Sequence, residues 1–331
     1  MAARKVSFNK VLEFLSLQPN GASPREIADH FGYSRDAAKQ ALKFLYESGK
    51  VFRTDGGVYY VNTPKEKKKY TEVLPSVNDF DYTSGYKKER RDIVIKGKHR
   101  VLFISDIHIP QHSPYVKTAI DYGLSKDVDI VILGGDIMDC HTISTHTQDP
   151  LMPTIVEEIN LTKRFLDSLR KLFPKARIIY MRGNHEERIP RWLNIHAKEF
   201  SQFAGLDFGN LIDLKSNKIE LLDSFAKIVL GKLNIIHAHE IKGGGSINAA
   251  RVILLKTMEN ILFGHFHRTQ EYIHKTIGGQ IFGAWAVGCL CDDSPDYLPI
   301  NNWNHGFAYI ETNGDGTFNV ENKKIYGGTV L

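Results

Sequence analysis

The sequence predicts an α/β protein preceded by a small separate helical unit, and three observations predict it. After residue 98, apolar runs of strand length alternate with helical patterns. Before residue 63, three helical patterns lead into a tight-turn hairpin. Between them the periodicity is lost and the composition turns basic. At 331 residues the chain has room for about two domains, and 42% apolar residues suffice for a packed core.

In the first unit, Phe8, Val11, Leu12 and Leu15 recur at helical spacing and stop at Pro19-Asn20-Gly21. Ser23-Pro24-Arg25-Glu26 has the pattern of a capping box with proline at the first helical position, which predicts a short helix through Ile27 to Phe31. Ser34 caps a third helix running to about Ser48, with Ala38, Ala41, Leu42 and Leu45 inward and Gly49 at its end. Two strand-like pieces, Lys50 to Arg53 and Val58 to Val61, flank the turn Asp55-Gly56-Gly57. This order resembles a winged helix-turn-helix domain over residues 1–63. The resemblance implies a third helix that enters the major groove of DNA and a hairpin that touches the backbone. Arg35, Lys39 and Lys43, off the apolar stripe of the third helix, and Arg53 beside the wing are then candidate nucleic-acid contacts. Winged helices also serve as protein-interaction or dimerisation modules, and exposed lysines and arginines are the ordinary solvated face.

Residues 64–98, with Lys65-Glu-Lys-Lys-Lys69 and Lys87-Lys-Glu-Arg-Arg91, read as a basic linker. A catalytic domain is expected over 99–331. There Val101 to Ile104, Asp129 to Leu133 and Arg177 to Met181 read as strands, and Pro114 to Leu124 as a helix. A second helix opens at Thr154-Ile-Val-Glu157 and stops at Pro174, with Ile155, Ile159, Phe165, Leu166, Leu169 and Leu172 inward. The later half is richer in strands, at Ala226 to Leu230, Leu233 to Ile236, Asn260 to Phe263, Gln280 to Phe282 and Phe307 to Ile310. Gly243-Gly-Gly245 reads as a flexible strand-to-helix connection.

Charge is unevenly placed. Residues 1–100 hold 20 Lys+Arg against 12 Asp+Glu, and the remainder 23 against 26, so a net charge of +5 conceals a front end at +8 and a body at −3. A surplus placed this way suits a polyanion-facing front. Three cysteines, Cys140, Cys289 and Cys291, are too few for a disulfide framework or a four-thiolate zinc site. No apolar run reaches the roughly 20 residues of a membrane span, and the N-terminus lacks the pattern of a secretory signal, so a cytoplasmic protein is expected.

Five polar clusters each follow an apolar run: Asp106-Ile-His108, Asp136 within Gly134-Gly135-Asp136, Gly183-Asn184-His185-Glu186, His237-Ala-His239, and Gly264-His265-Phe-His267. Metal ligands at the ends of strands are where open α/β sheets place their binding loops. In this order the clusters resemble the calcineurin-like metallophosphoesterase superfamily, whose motifs run D-x-H, G-D-x-x-D, G-N-H-E/D, H and G-H-x-H. The resemblance covers roughly residues 99 to 310 and implies a two-sheet sandwich flanked by helices. It implies two divalent metal ions, about 3.5 to 4 Å apart as two-metal phosphoester chemistry requires. On it, Asp106, His108 and His267 hold one ion, Asn184, His237 and His265 the other, and Asp136 bridges. An oxygen and imidazole set without thiolate suits Mn²⁺, with Fe or Zn²⁺ as alternatives. The resemblance further assigns His185 to the substrate space, where it stabilises the phosphoryl group or protonates the leaving oxygen, and Asp139 to orienting it. For Asp139 the plain alternative is a helix-capping acid; His239 reads as a residue behind the ligands or a structural one.

Two departures bear on substrate. Protein Ser/Thr phosphatases of the superfamily continue G-D-x-x-D with R-G, whereas Cys140-His141 follow here, and they lack the second histidine of Gly264-His265-Phe-His267. Both lean towards phosphodiesterases. His112, Tyr115, His141, His146, Arg188, Arg191 and Trp192 lie just beyond the motifs, where cationic and aromatic side chains can hold phosphates and stack bases. The expected protein is therefore a two-metal phosphodiesterase, a nuclease or nucleic-acid end-processing enzyme acting on DNA, or alternatively RNA. Competing readings are a phosphoesterase for small nucleotides or phosphoproteins with an oligomerising winged helix, and a non-enzymatic DNA-binding regulator. The general look also resembles phosphoesterases encoded by phages, for which the compartment is the host cytoplasm.

Overall fold

The computed structural model describes residues 7–62, 90–145, 151–242, 246–295, 298 and 300–331. The chain divides into two units, Met1–Gly85 and Tyr86–Leu331.

The first unit consists of α1 (Phe8–Ser16), α2 (Pro24–Phe31), α3 (Arg35–Glu47) and a hairpin of β1 (Val51–Arg53) and β2 (Tyr59–Val61), the element order expected from the sequence. The capping box forms in full: the Ser23 amide donates to the Glu26 carboxylate at 2.7 Å while Ser23 Oγ accepts from the Glu26 amide. Gly32, at φ 67°, ends α2 in the left-handed conformation, and Ser34 Oγ then accepts from the Ala37 amide to start α3. Val11, Leu15, Ile27, Ala38, Leu42, Leu45 and Val51 close into one small core. The hairpin pairs antiparallel, Val51 with Val61 and Arg53 with Tyr59.

The second unit is built on two large sheets. One is seven-stranded in the order β15 (Thr329–Val330), β14 (Phe318–Tyr326), β13 (Gly306–Thr312), β4 (His99–Ile104), β5 (Ile130–Leu133), β6 (Arg177–Tyr180), β7 (Ile219–Leu221). The other is six-stranded in the order β11 (Gln270–Lys275), β12 (Ile281–Ala286), β10 (Ile261–Phe263), β9 (Leu233–Ile236), β8 (Ile228–Leu230), β3 (Ile93–Ile95). Side chains alternate faces along a strand, and the cores follow that period. Val101, Phe103, Ile130, Ile132 and Ile179 meet Ile228, Leu230, Leu233, Ile235 and Leu262 between the sheets. Leu102, Ile104, Val131, Leu133, Ile178 and Tyr180 point the other way, onto α4 (Tyr115–Ser125) and α5 (Ile155–Leu172). On the outer face of the six-stranded sheet, α7 (Ala249–Thr257) packs Ala250, Ile253 and Leu254 against Ile261, Phe263 and Ala284. Helix, sheet, sheet and helix form the layers, the two-sheet sandwich flanked by helices that the resemblance implies.

The boundary of the expected linker needs correction. Residues 63–89 lie outside the described residues, but Ile93–Ile95 pairs in parallel with Ile228–Leu230, so part of the segment expected as linker is a strand of the second unit. Three consecutive apolar residues between basic flanks are the signal for it. The inward stripe of α5 also differs: Leu166 and Leu169 are buried as expected, but Glu158 and Thr162 complete the buried face and Leu172 is 46% exposed. Strands β11 and β14 lie beyond the expected set: β11 alternates half-buried and exposed residues and β14 is polar through its middle, so neither shows a continuous apolar run. Gly243 to Gly245 and His146 lie outside the described residues.

Candidate metal centre

Parallel pairing of β4, β5 and β6, and of β9 and β10, aligns the C-terminal ends of the strands that precede all five motifs. Their loops then hydrogen-bond to one another: the amides of Asp106 and His108 donate to the carbonyls of Gly135 and Asp136, both at 3.0 Å. Side chains converge as a result. His267 Nε2 lies 3.2 Å from His108 Nε2 and 3.3 Å from Asp106 Oδ1. Asp136 Oδ2 lies 3.1 Å from His237 Nε2 and 3.9 Å from His108 Nε2, between the two sets as a bridging group must be. Asp136, His237 and His265 present ligand atoms within 4.8 Å of one another. All six of these imidazole and carboxylate candidates are brought together. Asn184 lies in the loop after β6 and directly precedes His185, whose amide donates to Asp136.

Each group is held from behind. The His265 amide donates to both Asp106 oxygens at 3.0 Å, and the His185 amide donates to Asp136 Oδ1 at 2.9 Å. His237 Nδ1 contacts the Gly134 carbonyl at 2.8 Å, which fixes the proton on Nδ1 and leaves Nε2 as the free lone pair. His108 Nδ1 is held by Asp139 Oδ1 at 3.1 Å, again freeing Nε2. Asp106, His108, Asp136, His265 and His267 all have φ between 50° and 70°. Strained backbone of this kind costs of order 1–3 kcal/mol per residue and persists where the surroundings over-determine it. Two motif glycines have a steric reason. A Cβ on Gly183 would collide with Asp136 Oδ1, and one on Gly264 with Ser105 Oγ and, at 2.5 Å, Asp106 Oδ2.

Cations fit this constellation. Among the described residues Asn184 Oδ1 is buried with no hydrogen-bond partner, an expensive condition for a polar atom unless a ligand meets it, and the buried His237 Nε2 faces the Asp136 carboxylate at 3.1 Å. The donors are oxygen and imidazole nitrogen, the set of borderline and hard divalent ions. Without a cation the groups compensate one another: burial would lower the His237 imidazolium pKa, but the Asp136 carboxylate beside it raises it to about 10. Burial, reinforced by charge on His237, pushes His265 down to about 4. Cys291 sits behind His267, its Sγ 3.7 Å from Nδ1, on the side away from Asp106.

His185 and Asp139 meet as expected. His185 Nδ1 lies 2.9 Å from Asp139 Oδ1 and 2.7 Å from the Asp139 carbonyl, so Nε2 is turned towards the cluster, 3.9 Å from Asp136 Oδ2. One carboxylate therefore orients both His185 and His108. His239 lies behind the cluster, its ring 5.4 Å from that of His237, and neither ring nitrogen has a hydrogen-bond partner among the described residues.

Three residues act here that sequence reasoning gave no such role. Glu186 is fully buried and accepts from the amides of Asp136, Ile137, Met138 and Gly183 and from the Tyr180 hydroxyl, at 2.7 to 3.1 Å. It ties the second motif to the third. Glu158 on α5 accepts from the Cys140 amide, and burial raises its pKa to about 7. Arg188, at the start of α6 (Arg188–His196), donates to the Asp139 carbonyl at 2.8 Å, and its other terminal nitrogen lies 3.1 Å from His185 Nε2. A charged residue within an apolar stripe is the signal for Glu158; position in G-N-H-E alone marks Glu186. Trp303 packs edge-on against His267, ring centroids 4.1 Å apart, so its loop backs the centre. Tyr115 packs against His305 and His112 is exposed.

In the first unit, Lys39, Lys43 and Arg53 line one cavity of about 750 Å³ together with Tyr46 and Tyr59 and the acids Glu47 and Asp55. Arg35 is exposed at the start of α3 and does not line it. Lys39 and Lys43 approach Asp36 and Glu47 at 4.0 and 3.8 Å, exposed pairs of the kind worth about 0–1 kcal/mol.

The model of the calcineurin-like phosphoesterase family matches residues 99–285. Among solved structures, the chain is similar to a single mutant of Vps29 from Entamoeba histolytica, at 18% identity over 70% of this chain and 96% of that one, TM-score 0.37. It is also similar to YfcE, a phosphoesterase from E. coli, at 12% identity over 67% of this chain and 98% of that one, TM-score 0.31. A dimetal phosphatase from Danio rerio shares 12% identity over 65% of this chain and 93% of that one, TM-score 0.27. No curated protein matches the chain in sequence. Among the described residues no helix is long and apolar enough to cross a membrane.

Proposed function

The chain belongs to the calcineurin-like phosphoesterase family and is a metal-dependent phosphoric ester hydrolase; from that premise we propose that it is a phosphodiesterase of nucleic acid, with the first unit supplying polymer affinity. The observation that carries the nucleic-acid reading is the cavity of the first unit, where Lys39, Lys43 and Arg53 converge beside Tyr46 and Tyr59. Cations interleaved with aromatic rings suit phosphates and bases. The concentration of basic charge in residues 1–100 supports the same reading.

Asp106, His108 and His267 would hold one divalent ion, Asn184, His237 and His265 a second, and Asp136 would bridge them. When bound, the ions neutralise charge on the phosphate oxygens and acidify the attacking water. The chain's own residues do the rest. Backbone amides of His265 and His185 pin Asp106 and Asp136, so the ligand set needs no rearrangement during reaction. Asp139 holds the His185 ring by Nδ1, leaving Nε2 to deliver a proton to the departing ester oxygen. Mn²⁺ suits the donors best, with Fe or Zn²⁺ the alternatives.

Hydrolysis of a diester and a monoester reporter with Mn²⁺, beside labelled single- and double-stranded DNA and RNA, tests the reading. Diester and polynucleotide cleavage is expected, with DNA preferred. Turnover confined to the monoester would place the substrate among phosphoproteins or small phosphomonoesters instead.

A further inference from the structure

Beyond Asn184 the second unit opens into a cavity of about 380 Å³, within the ~300–1,000 Å³ typical of small-ligand sites. Its walls are the turn after Asp139, with Thr142 and Ser144, and one face of α6, with Arg188, Arg191 and Trp192. Residues three and four apart share a helix face, so both guanidinium groups and the indole line the same side. Chemistry is graded along that face. Nearest the cluster, Arg188 is fixed by the Asp139 carbonyl with its other terminal nitrogen 3.1 Å from His185 Nε2, the atom that faces the reacting group. One turn further, Arg191 is exposed and Trp192 is 40% exposed, with the His196 ring 5.1 Å away. Thr142 Oγ1 is buried on the opposite wall with no hydrogen-bond partner among the described residues.

An exposed arginine on a helix is ordinarily just solvated. Here α6 buries Ile189 alone, and its aromatic and cationic face lines a concavity that begins at a candidate metal ligand. We propose that this cavity is a nucleotide subsite of the hydrolytic centre. In it Arg188 grips a non-bridging oxygen of the scissile diester beside His185, Arg191 meets the neighbouring phosphate, and Trp192 stacks the base. Arg188 thus supplies, from a different element, the guanidinium that is missing after Asp139. The inference rests on the polynucleotide reading and deepens it, since the second ester group of a diester is what the cavity receives.

The test compares kcat/KM of the Mn²⁺-loaded full-length protein for thymidine 5′-(4-nitrophenyl phosphate) and for methyl 4-nitrophenyl phosphate, which lacks a nucleoside. The native ratio should lie well above one. Trp192→Ala should lower it roughly 5- to 150-fold through KM, the size of one base–aromatic stack, and Trp192→Phe should retain most of it. Arg188→Lys, which keeps the charge and loses the fork, should lower kcat for both esters with metal content unchanged. A native ratio above one that survives Trp192→Ala overturns the subsite and leaves the nucleic-acid reading standing. A native ratio near one overturns both.

Discussion

The metal centre and the basic face of the first unit, both proposed above to meet phosphate, are built in opposite ways. At the centre, Asp106 and Asp136 are buried to 0% and 1% exposure, each is pinned by a backbone amide, and five of the converging residues have left-handed backbone. On the first unit, Lys39 and Lys43 are exposed, on a regular helix, near acids of their own helix. Chemistry on a phosphoester needs charges fixed in advance, because reorganisation during reaction costs rate. Affinity for a polyanion needs only charges displayed at the surface, and salt screens them. The contrast predicts that substitutions at the centre act steeply and on chemistry, and those on the first unit act gradually and on binding.

The largest effect is expected for Asp136→Ala. Losing the bridge should remove both ions and reduce hydrolysis beyond the roughly 10–100-fold that groups behind metal ligands cost, measurable with a diester reporter at saturating Mn²⁺. His185→Ala should lose turnover by roughly 10²–10⁴-fold while metal content, by elemental analysis, stays native; an emptied metal position would misassign His185. Asp139→Asn should show a mixed signature. Because one carboxylate holds both His185 and His108, turnover falls less than in His185→Ala, and metal affinity weakens by roughly 10–100-fold as well.

On the other side of the comparison, removal of residues 1–85 should spare a small diester reporter and weaken binding to polynucleotide. Charge reversal at Arg35, Lys39 and Lys43 should flatten the dependence of log affinity on log salt by about one unit per lost contact. Unchanged affinity and slope would assign this unit to protein contacts and break the comparison. The smallest effect concerns Glu158, whose pKa burial raises to about 7. The folded state then binds a proton that the unfolded chain has released, so stability falls as pH rises from about 4.5 to about 7 and levels off above. Glu158→Gln should flatten that part of the melting-temperature profile.

Much of the centre was legible because each ligand follows an apolar run directly, and a strand followed by a short loop leaves little freedom about where the next two residues go. Asp106 and His108 behind β4, or His265 and His267 behind β10, are of this kind. What holds the ligands was less legible, since Glu186 and Glu158 do their work on amides brought from distant loops. Nothing local distinguishes such an acid from a solvated one. Arg188 likewise reaches Asp139 across 49 residues of sequence. Strands β11, at a sheet edge, and β14, next to one, escaped for a different reason: a wet face carries polar residues that break the apolar run. In the first unit, capping residues and Gly32 set the helices locally, so the element order could be read, whereas the shared cavity of Lys39, Lys43 and Arg53 depends on how the hairpin packs.

A preorganised buried cluster around Asp136 should hold two cations. Metal stoichiometry in the native protein and in Asp136→Asn, each loaded with Mn²⁺ and freed of excess, tests it most directly, with melting temperature followed in parallel because an ion that binds only the folded state stabilises it. The account predicts two ions per chain and a raised melting temperature in the native protein, and loss of both in the variant. Two ions retained in Asp136→Asn, or none in the native protein, would contradict it.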